Sequence, residues 1–127
     1  MVVVDSSVWI AFFRGNEAVV AELARLLDAD EVALAAPVRL ELLSGASRKD
    51  EPVLRRVLSA LPLLVPDGQL WPKLEGWIVR ASRAGERFGA MELLIAGIAD
   101  DHQATVWSRD ADFSRMARLG LVQLHTR

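Results

Sequence analysis

The feature that most constrains the fold is the opening of the chain, in which Val2–Val4 is followed directly by Asp5. An unbroken run of β-branched valines favours a strand that is buried on both faces, as strands in the middle of a parallel sheet are. Ser6 and Ser7 come next, and they are candidate caps of a helix that is predicted to begin near Val8. Asp5 is therefore predicted at the carboxyl end of a central strand, the edge where open α/β sheets bind their ligands.

Strands and helices are predicted to alternate through the rest of the chain. Residues 80–89 are polar and contain two glycines, which predicts a loop. The alternation implies a three-layer α/β/α fold, Rossmann-like, with a short and mostly parallel central sheet. With no repeat and no linker, the 127 residues are predicted to form a single domain. Further strands are predicted at 32–36, 63–65, 105–107 and 121–124, with helices between them.

The composition limits the classes of function. The chain has no cysteine, which excludes disulfides and thiolate metal sites and favours an intracellular setting, so we expect a cytoplasmic protein. A formal net charge of −2 gives no overall basic signature, so a nucleic acid must be held by a local patch or through a metal. There is no basic signal-peptide start and no apolar run near the ~18 residues of a membrane span, so no membrane association is expected.

Four carboxylates stand in apolar or strand-terminal surroundings. Asp5 and Asp110 each follow a predicted strand, so parallel neighbouring strands would bring them to the same edge of the sheet. Glu92 is the one charged residue near the start of an otherwise apolar helix at 91–99. Glu41 lies one turn into the helix after the second strand, inside an apolar run. The four are predicted to converge at one edge of the sheet.

Each carboxylate also has a purely structural interpretation when it is taken alone. Asp5 and Asp110 fit helix N-caps worth ~1 kcal/mol each, Glu92 fits a favourable helix-dipole position, and Glu41 fits a solvated helix residue. Together, however, converging carboxylates repel one another and resist desolvation, which a divalent cation relieves. Oxygen ligands select Mg²⁺ or Mn²⁺, which support phosphodiester hydrolysis by water.

The chain resembles a known family, the PIN-domain ribonucleases of the bacterial VapC toxin type. The resemblance covers essentially the whole chain, because the order and the spacing of four motifs fit as well as the total length. Any one motif is weak, whereas the four in sequence are specific. They are Val-Asp-Ser-Ser-Val-Trp-Ile at 4–10, Glu-Leu-Leu-Ser-Gly at 41–45, Glu-Leu-Leu-Ile-Ala at 92–96 and Trp-Ser-Arg-Asp-Ala-Asp-Phe at 107–113.

The resemblance implies an endoribonuclease that uses Mg²⁺ or Mn²⁺ and acts as the toxin of a type II toxin–antitoxin pair. It implies RNA as substrate, a small VapB-like antitoxin as partner, and a homodimer or a toxin–antitoxin hetero-oligomer. The family's catalytic and metal-binding positions fall on Asp5, Glu41, Glu92 and Asp110, with Asp112, Ser6 and Ser108 as possible additions.

Two departures from the family pattern affect this interpretation. The third acidic position is usually aspartate, and the extra methylene of Glu92 moves the carboxylate outward, which shifts metal preference toward Mn²⁺ or reduces activity. Ser108 stands where threonine is common and keeps the hydroxyl. The first departure leaves an alternative open: a catalytically weak or inactive PIN-like module that binds RNA or a protein partner.

A signalling receiver domain is the nearest rival of another class. It requires an acidic pair at the first strand and a lysine after the last, whereas the only lysines are Lys49 and Lys73, neither of which follows a late strand.

Arginines near the predicted edge are candidate RNA contacts. Arg80, Arg83 and Arg87 precede Glu92, while Arg14 follows the first helix and Arg109 adjoins Asp110. We expect some of them to contact phosphates, the alternative being a solvated, charged loop.

Overall fold

The computed structural model describes residues 1–126, over which four strands alternate with seven helices. The strands are short, and each lies within one of the predicted segments. They are β1 (Val2–Val4), β2 (Val32–Ala35), β3 (Leu63–Leu64) and β4 (Thr105–Trp107). The helices are α1 (Ser6–Phe13), α2 (Glu17–Asp28), α3 (Ala36–Gly45), α4 (Glu51–Ser59), α5 (Leu70–Arg83), α6 (Ala90–Asp101) and α7 (Ala111–Arg118).

The four strands form one parallel sheet in the order β3-β2-β1-β4. Val2 is in register with Val32 on one side and with Thr105 on the other, so β1 is a central strand as the valine run predicts. Val3 is completely buried, because both faces of the sheet are covered. The carboxyl ends of β2, β1 and β4 therefore lie side by side, and this edge positions the candidate site.

The core is closed by α6, which is apolar on nearly every side. Gly97 allows α5 to approach it closely: a Cβ built at Gly97 would lie 2.7 Å from carbons of Leu70 and of Leu74. A larger residue at Gly97 would separate the two helices or force these leucines aside. No helix within residues 1–126 is long and apolar enough to span a bilayer.

The structure corrects three local predictions. The loop predicted at 80–89 is helical through Arg83, because the alanines and arginines there are good helix formers and the first residue with a left-handed conformation is Gly85, at φ +74°. The strand predicted at 121–124 is reduced to a single bridge between Val106 and Leu124. The third correction concerns the start of α1, whose N-cap is Asp5 rather than a serine.

Candidate functional site

Asp5 lies at the junction of β1 and α1, on the edge where the strands end. Its backbone N–H donates to the carbonyl of Trp107 at 2.9 Å, which ties the ends of β1 and β4 together. Its side chain is 6% exposed and makes no capping bond to α1. Instead, Oδ2 accepts hydrogen bonds from Ser7 Oγ at 2.9 Å and from Ser108 Oγ at 2.7 Å. Asp5 is therefore a carboxylate fixed by two hydroxyls.

The two serines form a small network that joins the β1–α1 and β4–α7 junctions. Their hydroxyl oxygens are 3.3 Å apart. Ser7 Oγ accepts from the N–H of Arg109 at 3.0 Å, and Ser108 Oγ accepts from the N–H of Asp110 at 2.9 Å. Each hydroxyl thus accepts a backbone hydrogen bond and donates to Asp5. The prediction included Ser108 but treated Ser7 as a helix cap, because two of the three partners of Ser7, Ser108 and Arg109, lie about a hundred residues away along the chain.

Glu41 projects from the exposed side of α3 toward the same edge. Ser6 Oγ donates to Glu41 Oε1 at 3.5 Å, a long hydrogen bond. Burial raises the pKa of the Glu41 carboxyl, and the negative charges of Asp5 and Glu92 raise it further. Asp5 and Glu92 therefore lie close enough to Glu41 for their charges to act on it.

Glu92 stands in the first turn of α6 and is partly buried. Its carboxylate folds back toward Gly89, the N-cap residue of the helix, where a Cβ would collide with it. α3 packs against α6, and the charge of Glu92 acts on Glu41, so the two carboxylates are neighbours.

Asp110 is the N-cap residue of α7, as one of the two interpretations of the sequence predicts. Its side chain accepts a hydrogen bond from the N–H of Asp112 at 2.9 Å and caps α7. It stays connected to the edge through Ser108, but its carboxylate is engaged in the turn. Asp112 forms an ion pair with Arg115, which also pairs with Glu86. The structure therefore brings Asp5, Glu41 and Glu92 together and gives Asp110 and Asp112 structural contacts.

The donor set suits a divalent cation, although it is not assembled into a tight cluster. Within residues 1–126, no three Asp, Glu or His side chains lie close enough together to hold a metal ion as they stand. Over the same residues, none of Asp5, Glu41, Glu92 and Asp110 forms an ion pair with a basic side chain. Their charge is therefore uncompensated, and an oxygen-only set of this charge matches the ligands that Mg²⁺ and Mn²⁺ take.

The predicted RNA-binding arginines have different surroundings. Arg80 donates to the carbonyl of Leu119 at the end of α7, which is a structural contact that the sequence could not reveal. Arg83 and Arg87 are exposed. Arg14 and Arg109 line a polar cavity beside Ser7.

An apolar groove runs beside the carboxylates, between α1, α3 and α4. It has a volume of about 420 Å³, and Glu41 stands on its wall. Much of its lining is apolar and strongly exposed, namely Ile10, Phe13, Val53 and Val57. The groove is a surface that a partner can cover.

Comparisons with known proteins agree with this geometry. The family model described as the PIN domain matches residues 2–119. Ribonuclease VapC11 of Mycobacterium tuberculosis is 36% identical over 129 residues, covering 97% of this chain and 96% of the relative. Among solved structures, VapBC2 from Rickettsia felis bound to a DNA fragment from its promoter covers 98% of both chains with a TM-score of 0.79 at 17% identity. A toxin–antitoxin complex from Klebsiella pneumoniae covers 87% of this chain and 88% of its own, with a TM-score of 0.71 at 16% identity.

Proposed function

This chain belongs to the PIN-domain family, and from that premise we propose that it is a metal-dependent endoribonuclease and the toxin of a type II toxin–antitoxin pair. The observation that carries the proposal is that Asp5, Glu41 and Glu92 lie near one another at the carboxyl edge of the sheet, and that none of them is paired with a basic side chain within residues 1–126. A full-length relative that is named a ribonuclease supports RNA as the substrate.

Asp5, Glu41 and Glu92 are the residues that would hold the metal, with Asp110 beside them as a further oxygen donor. When bound, Mg²⁺ or Mn²⁺ lowers the pKa of a water molecule and polarises a phosphoryl oxygen. Asp5 supplies the fixed point of this set, because Ser7 and Ser108 hold one of its oxygens while its backbone is bonded to β4.

Glu41 is the residue best suited to orient the attacking water and accept its proton. Glu41 is exposed at the edge where substrate must arrive, and a carboxylate within hydrogen-bond reach of a water molecule can accept its proton. Ser6 Oγ lies near Oε1 of Glu41, which leaves Oε2 as the oxygen that would accept from the water. Glu41 would take a proton from the water as its oxygen bonds to phosphorus, and the oxygen released when the phosphodiester bond breaks would take a proton from solvent.

The proposed partner is a small VapB-like antitoxin. A structural neighbour is a toxin–antitoxin complex. In this chain, the apolar groove beside Glu41 could bind the apolar face of an amphipathic segment. A segment in that groove would restrict access to Glu41. We place the protein in the cytoplasm, where its RNA substrate and the antitoxin would be available.

A homodimer is the second proposed assembly. Trp71, Ile78 and Val79 are about half exposed on α5, which is unusual for large apolar side chains on a surface helix. Arg83 and Arg87 follow on the same stretch of chain and remain candidates for contacts with the RNA backbone.

A catalytically weak module that binds RNA or a protein is the alternative. It is favoured by the lack of a preassembled carboxylate cluster in residues 1–126 and by glutamate at position 92.

Cleavage of total RNA by the purified protein tests the proposal, with Mg²⁺, with Mn²⁺ and with EDTA. Asp5→Asn removes the fixed carboxylate, and Asp28→Asn on the exposed end of α2 is the matched control. We expect discrete, metal-dependent fragments from the wild type and from Asp28→Asn, and none from Asp5→Asn. Equal inactivity of folded wild type and Asp5→Asn with both metals would favour the binding module.

A further inference from the structure

A second polar feature lies directly beside Asp5 and is separate from the carboxylates. It is a cavity of about 350 Å³ whose polar lining residues are Ser7, Arg14, Asn16 and Arg109. Its lining residues come from α1, from the turn that leads into α2 and from the segment after β4. The described lining includes no acidic side chain.

The cavity is connected to Asp5 through a single hydroxyl. Ser7 belongs to the cavity wall, donates to Asp5 Oδ2 and accepts from the backbone of Arg109. The preceding residue, Ser6, contacts Glu41 instead. Because consecutive helix residues point about 100° apart, the first turn of α1 separates the carboxylates from the cavity.

The two arginines of the cavity are available for an anion. Arg14 and Arg109 are exposed, and neither forms an ion pair within residues 1–126. Arg25, Arg55 and Arg115, by contrast, all pair with carboxylates. Since the chain has a net charge of −2 and its site is acidic, a polyanion needs local positive charge to approach.

We propose that this cavity binds a backbone phosphate of the RNA next to the phosphate that is cleaved, with Arg14 and Arg109 as the donors. Guanidinium groups bind phosphate oxygens through paired, charge-assisted hydrogen bonds. A phosphate held here fixes the register of the strand, because the cavity wall and Asp5 share Ser7. The inference rests on the proposed ribonuclease function.

Binding of a short, fluorescently labelled single-stranded RNA in EDTA tests the proposal without any cleavage. Arg14→Gln and Arg109→Gln remove one charge each, and Arg118→Gln at the end of α7 is the control of equal charge. We expect each cavity variant to bind several-fold more weakly, with the slope of log K against log salt falling by about 0.7. Arg118→Gln should retain the slope of the wild type.

The outcomes separate this proposal from the ribonuclease function. Wild-type slopes in both cavity variants, or an equal fall in Arg118→Gln, would overturn the phosphate site even if the protein cleaves RNA. Reduced slopes confined to the cavity variants support the site, and they would do so even if no variant or wild-type protein cleaved RNA. Circular dichroism establishes that all variants are folded.

Discussion

The carboxylate of Glu92 occupies the space that a Cβ atom on Gly89 would fill. Gly89 has φ −66° and ψ 149°, a conformation that any residue adopts, so its backbone does not require glycine. The absence of a side chain at Gly89 instead permits the glutamate to fold back over the start of α6. This relationship is specific to the longer acidic side chain, because an aspartate at position 92 would not reach as far.

Replacing Gly89 by alanine is expected to displace the Glu92 carboxylate while leaving the fold intact. The obstacle is the end of a flexible side chain, so relief by rotation is easy. We expect affinity for Mn²⁺ and the rate of RNA cleavage to fall roughly 10-fold, as when a group that orients a ligand is lost. Calorimetric titration with Mn²⁺ measures the affinity independently of cleavage.

Gly76→Ala is the matched control, because a Cβ there meets open space on α5. It should leave Mn²⁺ affinity unchanged and stabilise the helix by about 0.5–1 kcal/mol. Adding Glu92→Asp to Gly89→Ala should restore part of the affinity. Wild-type Mn²⁺ affinity in Gly89→Ala would contradict the positioning role of Gly89.

Removal of the Ser108 hydroxyl should weaken the site through Asp5. Ser108→Ala deletes a donor to Asp5 Oδ2 and an acceptor for the N–H of Asp110. We expect a loss of about 1 kcal/mol in the free energy of unfolding, and a 10- to 100-fold loss of cleavage. Ser108→Thr keeps the hydroxyl and should stay near the wild type in urea unfolding and initial rates. Equal losses in both variants would assign the effect to packing.

Glu41 should titrate above its ordinary pKa of 4.5 in the metal-free protein, because burial and the charges of Asp5 and Glu92 disfavour its ionised form. A raised pKa in the folded state means that the folded protein binds the proton more tightly. Stability therefore falls as the pH rises from 4.5 through the folded pKa. In EDTA at pH 7, Glu41→Gln should be more stable than the wild type by urea unfolding.

Glu75→Gln on the exposed surface of α5 is the control for this comparison and should show no such gain. Asp5→Asn should lower the Glu41 pKa, which NMR of the labelled carboxyl can follow. An unchanged pKa in Asp5→Asn would rule out the charge coupling.

Glu22 should contribute to stability with the opposite pH dependence. Hydrogen bonds from Arg25 and then from His125 lower its pKa from 4.5 to about 2. A lowered pKa gives stability that is present above 4.5 and is lost as the pH falls through about 2. Glu22→Gln should cost about 1–2 kcal/mol at pH 7 in urea unfolding, a range that allows for the exposure of Arg25. The difference should shrink between pH 4.5 and 2.5, and a constant difference would contradict this origin.

Features that depend on residues close together in the sequence could be predicted from it. The valine run gives β1, Asn16 caps α2 through the N–H of Val19, and α6 is apolar enough to be recognised as buried. The position of Asp5 at the carboxyl edge follows from its place directly after β1, because parallel strands end together. Glu41 and Glu92 lie on α3 and α6, so their approach to this edge depends on how those helices pack.

Features that depend on contacts between residues far apart in the sequence could not be predicted from it. Ser7 is joined to the β4–α7 junction only because Ser108 and Arg109 arrive beside it, and His125 has a partner only because its segment returns to Glu22. Asp110 shows a different limit, since the same local pattern suits a helix cap and a metal ligand. In the structure Asp110 Oδ1 accepts the capping hydrogen bond from the N–H of Asp112, and the role of Asp110 as a metal ligand stays a prediction.

The pairing of β4 with β1 determines when, during synthesis of the chain, the site can be completed. One of the two hydroxyls that hold Asp5, that of Ser108, lies 103 residues further along the chain and enters the sheet edge only with β4. Contacts of such long sequence separation form late in folding, because the loop between them must be closed first. A nascent chain that carries Asp5, Glu41 and even Glu92 still lacks this hydroxyl. The site would therefore reach full activity only after most of the protein has been synthesised, which limits early attack on RNA, including the message being translated.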